Sequence, residues 1–126
     1  MRLALVTLVV DDYDRAIAFY RDTLGFELVT DDPLDGGKRW IVVRPPGAET
    51  GVLLARATDA RQRAHVGDQT GGRVAFFLAT DDFAREHARL LDAHVHFVES
   101  PRTEAYGTVA VFEDPYGNRW DLLGPG

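Results

Sequence analysis

The chain has 126 residues, 45% apolar and 27% charged, a balance that suits one folded domain and excludes a disordered chain. It has no cysteine, which rules out disulfides, thiolate metal sites and cysteine nucleophiles. Fourteen basic against twenty acidic residues give a net charge of −6, the wrong sign for a phosphate backbone, so nucleic acid is not an expected partner.

In chain order, the first element is the apolar run Leu3–Val10. It imitates the core of a secretory signal but runs into Asp11-Asp12 with no small-residue cleavage site, so it reads as a strand. It is also far shorter than the roughly 18 residues of a membrane span. A cytoplasmic location without membrane contact is expected. Asp12 then caps a helix over 13–24, whose apolar stripe is Tyr13, Ala16, Ile17, Tyr20 and Leu24, with Gly25 behind it. Strands follow at Phe26–Val29, Trp40–Arg44 and Gly51–Ala55. The polar stretch 57–72 reads as a linker with room for one short helix.

The pattern then repeats. Val10-Asp11-Asp12-Tyr13 recurs as Thr80-Asp81-Asp82-Phe83, between a strand at 74–80 and a helix over 83–93. Phe26–Val29 matches Val95–Val98, and Trp40–Gly47 matches Ala110–Gly117. Gly51–Ala55 matches Asn118–Leu122, pairing Leu54 with Asp121. These matches, all in the same order, indicate an internal duplication. The predicted architecture is α+β: two tandem βαβββ modules in one domain of residues 1–126, the first about 1–56 and the second about 73–126. The second helix ends at His94 where the first has Gly25, a poorer residue for a left-handed cap.

This arrangement resembles the vicinal oxygen chelate superfamily, which includes glyoxalase I, bleomycin-resistance proteins and extradiol dioxygenases. The resemblance rests on Phe19-Tyr20 to Leu24-Gly25-Phe26 and on Asp114-Pro115-Tyr116-Gly117-Asn118 through Leu122, and covers essentially the whole chain. It implies a curled, mostly antiparallel sheet around a cavity, and a homodimer. It also implies four inward positions that hold a divalent metal in metal-dependent members. By position these are Leu5, Leu54, Ala75 and Asp121, and only the last has a donor side chain. The metal-ligand set is therefore expected to be missing, and no cofactor is expected; a divalent metal is the alternative.

Strand parity extends the inward set. Thr7, Leu54, Arg56, Phe77, Ala79, Arg119 and Asp121 are the candidate ligand contacts, with Tyr106 in the 101–107 connection at the cavity mouth. Asp121, among apolar residues, is the candidate catalytic acid or base; the competing reading pairs it with Arg56 or Arg119. Trp40 and Trp120 read as core, His87 as a packing histidine, and His65, His94 and His96 as surface. Three functions follow as expectations. The first is a small-molecule-binding protein without metal. The second is a metal-dependent lyase, isomerase or ring-cleaving dioxygenase of the glyoxalase I kind. The third is a metal-free enzyme using Asp121.

Overall fold

The computed structural model describes residues 1–125. They form two compact units, one over Met1–Val66 and one from Gly67 onward. The first unit contains β1 (Leu5–Val10), α1 (Tyr13–Ile17), β2 (Glu27–Pro33), β3 (Arg39–Arg44), β4 (Gly51–Arg56) and α2 (Ala60–Ala64). The second contains β5 (Val74–Ala79), α3 (Phe83–Asp92), β6 (His96–Phe97), β7 (Arg102–Glu104), β8 (Gly107–Glu113) and β9 (Arg119–Gly124). The duplication is thus realised, with β7 as an added strand in the second copy. The stretch 57–72 divides: Ala57 donates to the carbonyl of Val10 and α2 packs on β1, whereas residues from Gly67 belong with the second unit.

Each unit is an α+β layer with one mixed sheet, ordered β1-β4-β3-β2 in the first and β5-β9-β8-β6 in the second, where β7 also pairs with β8. The pairs β1–β4 and β5–β9 are parallel and all the others antiparallel. Side chains opposite one another in such ladders share a face. In the first sheet, Leu8, Val10, Ile41, Val43 and Leu54 are fully buried, on the side where α1 packs on β3 and β4. In the second, α3 packs on β9, and a chain of rings runs Phe83–His87–Phe97–Phe112–Trp120–Phe76. His87 is accordingly a packing residue, half-buried between Phe83 and Phe97.

Asp12, Asp59 and Asp82 each cap a helix by accepting a bond from the amide three residues on. The first helix departs from the regular turn expected across 13–24. Residues Ala18–Thr23 are π-helical, with Leu24 donating to Phe19 and Phe26 to Tyr20. The wider turn brings the consecutive rings Phe19 and Tyr20 and the side chain of Leu24 all into the core.

Gly25 follows this turn at φ 89°, while His94, the matching residue of the second unit, sits at φ 64°. A Cβ is disfavoured there, so His94→Gly is expected to stabilise the fold by about 1 kcal/mol. The measurement is the urea midpoint, and an unchanged or lower midpoint would contradict the strain.

Candidate functional site

The helix-free face of each sheet is where the site residues read from the sequence were expected. In the second unit Phe77, Ala79, Arg119 and Asp121 share one face of the sheet. Phe77, Asp121 and Val111 stand side by side across β5, β9 and β8, with Ala79 opposite Leu123 and Arg119 opposite Glu113. Trp120 is buried on the other face, stacked on Phe76. Ala75 lies in a bulge between Val74 and Phe76, so the simple alternation stops there.

In the first unit the expected set splits. Thr7 pairs with Leu53, and Leu8 with Leu54. Leu54 therefore shares the helix-packed face with Leu8, and Arg56 that with Val10, while Leu5, Thr7 and Val9 stand beside Gly51, Leu53 and Ala55. Because Thr7–Leu53 has the same place in its sheet as Phe77–Asp121, the counterpart of Asp121 is Leu53 rather than Leu54. The correction is one residue, in a run where both candidates are leucine.

Asp121 is 7% exposed, and its Oδ1 is buried without a hydrogen-bond partner among the described residues. Burial pushes its carboxyl above the usual range, and the positive charge of Arg102 partly opposes this. The pairing with Arg119 does not form: Arg119 Nε lies 3.8 Å from Glu113. Arg102 bonds Glu104 at 2.8 Å and pairs with Glu99, bracing the 101–107 connection, while Tyr106 is 65% exposed.

A carboxyl whose pKa is raised by folding stabilises the native state below its unfolded pKa, and that contribution is lost as pH rises through the folded value. Asp121→Asn is therefore expected to raise stability at neutral pH, with the gain shrinking toward acid, where both states are protonated. Urea titrations of both proteins at acid and neutral pH measure it. A loss at neutral pH would mean that the ionised carboxylate has a stabilising partner.

A cleft of about 350 Å³ lies within the first unit. β3 pairs with β4 at Val42–Leu53 and Val43–Val52, while β4 continues along β1 as far as Arg56. Arg39 and Trp40 of β3 line the cleft together with Leu53 to Arg56 of β4; Leu34 and Lys38 come from the connection between β2 and β3, and Tyr13, Thr58 and Gln62 complete it. Leu54 and Arg56 thus line this cleft, and Thr7 does not. Trp40 is 42% exposed here, against its expectation as core: the register places it opposite Asp32, near the end of β3 and away from the helix-packed face. The guanidinium groups of Arg39 and Arg56 lie over the Tyr13 ring at 5.3 and 5.0 Å.

Residues 2–122 match the family described as the Glyoxalase/Bleomycin resistance protein/Dioxygenase superfamily. The chain belongs to this superfamily. Among its relatives, an uncharacterized protein of Shewanella frigidimarina is 51% identical over 94% of this chain and 89% of its own length. UcmS2, a solved structure, has a TM-score of 0.85 at 35% identity, covering 98% of this chain and 97% of its own. TnmS3, an antibiotic binding protein from Streptomyces sp. CB03234, has a TM-score of 0.82 at 32% identity, over 100% and 97%.

At the positions that the resemblance marks for a metal, with Leu53 in the place of Leu54, this chain has Leu5, Leu53, Ala75 and Asp121. Asp121 is the one donor at the four positions, and a single carboxylate does not make a catalytic metal site. No group of three or more His, Cys, Asp or Glu side chains placed to hold a metal occurs among the described residues. The residues present do not fit the metal. No helix among the described residues is long and apolar enough to cross a membrane.

Proposed function

We propose that this protein binds a small aromatic organic molecule without a metal or other cofactor, in the cytoplasm and as a homodimer. The observation that carries the reading is the substitution of apolar for ligating side chains on the open sheet faces. Beside Asp121, where a metal-dependent relative gathers donors, stands Phe77, 64% exposed. An exposed ring on a sheet offers a flat ligand a stacking surface, and the nearby polar groups fix its orientation. Thr7, Phe77, Ala79, Tyr106, Arg119 and Asp121 are the proposed contacts of the open faces, with Leu54 and Arg56 those of the cleft. The similarity to TnmS3, an antibiotic binding protein, supports the same reading.

Titration with polycyclic aromatic antibiotics tests it, followed by the combined emission of Trp40 and Trp120 and by thermal denaturation, with and without chelator. Saturable binding indifferent to the chelator is expected, and Phe77→Ala should weaken it about tenfold or more by removing the stacking surface. No saturable binding, or binding abolished by chelator, would sink the proposal.

The raised carboxyl of Asp121 favours one second reading, a metal-free enzyme in which this group moves a proton. Under that reading Asp121→Asn would abolish turnover of a bound compound and leave its binding intact.

A further inference from the structure

The charge of the first-unit cleft runs against that of the whole chain. The molecule carries −6, yet the residues lining the cleft include Lys38, Arg39 and Arg56 and no acidic side chain. The three cations differ in their surroundings. Arg39 bonds Asp31 and Asp14 at 2.8 and 2.9 Å, so its charge is already answered. Arg56 gives one bond, at 3.3 Å, to the carbonyl oxygen of Gly37, and its guanidinium lies over Tyr13. Among the described residues neither Arg56 nor Lys38 is in an ion pair. Such an arrangement leaves unanswered positive charge beside the apolar side chains of Leu53 and Ala55 and the half-exposed ring of Trp40.

We infer that the cleft takes a planar organic anion, its ring system against Trp40 and Leu53 and its carboxylate, phenolate or sulfonate toward Arg56 and Lys38. The inference rests on the small-molecule reading above and names the ligand class for this one site. An anion there gains charge-assisted hydrogen bonds from groups that have no acidic partner to give up. Arg56 is held in place by Tyr13 and Gly37, so less ordering is needed when the ligand arrives. A cationic ligand meets like charge and no acceptor carboxylate.

The test compares three probes of the same shape by calorimetry: naphthalene-2-carboxylate, 2-naphthylmethanol and 2-naphthylmethylammonium. The carboxylate is expected to bind about tenfold more tightly than the alcohol, weakening as salt is added, and the ammonium least. Lys38→Gln, on an exposed side chain, should reduce that preference, and Arg56→Gln should remove most of it, while Arg56→Lys restores part. Thermal denaturation establishes that each variant is folded, and Lys38→Gln keeps the test decisive should Arg56→Gln unfold. Equal affinity for carboxylate and alcohol, a preference for the ammonium, or an anion preference unchanged in both Gln variants would overturn the inference and leave small-molecule binding standing. Failure of all three probes and of the aromatic antibiotics to bind would overturn both.

Discussion

Asp114→Ala is expected to lower stability by about 3 kcal/mol, a fall of roughly 10 °C in Tm for a chain of this size. The carboxylate is buried and accepts three bonds: from the amides of Tyr116 and Asn118, each at 2.9 Å, and from Asn118 Nδ2 at 2.8 Å. Two backbone bonds close the same turn, Asp114 N to Asn118 O and Gly117 N to Asp114 O. Asn118 is itself buried, so truncating Asp114 leaves donors without partners in a place water does not readily reach. Asp114→Asn keeps the shape but loses the charge and one acceptor oxygen, and should fall between wild type and alanine. Urea denaturation measures all three, and a change within about 0.5 kcal/mol for alanine would show that the turn does not depend on the carboxylate.

The second large effect is expected at Gly67→Ala. Gly67 has φ +78°, and a Cβ built there would stand 1.9 Å from the carbonyl oxygen of Tyr116. The obstacle is backbone, in the very turn that Asp114 organises, and it does not yield by rotating a side chain. The cost is the left-handed penalty plus displacement of the turn, roughly 3 kcal/mol or more. Gly71→Ala is the control: φ is +68° there but nothing lies within 4 Å, so only the conformational penalty of about 1 kcal/mol applies. Similar losses for the two variants would mean that the close approach to Tyr116 contributes nothing.

Both predictions concern the segment that carried the family resemblance. Asp114-Pro115-Tyr116-Gly117-Asn118 was recognisable as a pattern before its reason was visible. The reason is a carboxylate whose oxygens are shared among the donors of a five-residue turn. The duplication was equally legible, because alternating apolar residues and Asp caps are local properties of a strand and a helix end. Register was not. Leu53 and Leu54 are both apolar, so composition does not say which one faces away from the helix, and the answer comes from the pairing of Thr7 with Leu53. Trp40 misled for a related reason. An aromatic ring in an apolar strand reads as core, but its place near the end of β3 leaves it in the cleft wall. The cleft itself joins residues from four separate stretches of the first unit, and a repeat comparison has no access to that.

The parallel pairing of β1 with β4 sets the order in which a unit can be completed during synthesis. Leu5 finds its partner only when Gly51 has emerged, and Val74 waits in the same way for Arg119. The antiparallel pairs β2–β3 and β3–β4 join neighbours in the chain, and the loops they close are short. β1 is therefore made well before the strand it pairs with and is among the last elements of the first unit to find its place, and until it does β4 presents an unpaired edge. A nascent chain halted before Gly51 is expected to be sensitive to proteolysis throughout its length, and one halted well beyond Arg56 to be protected over the first unit.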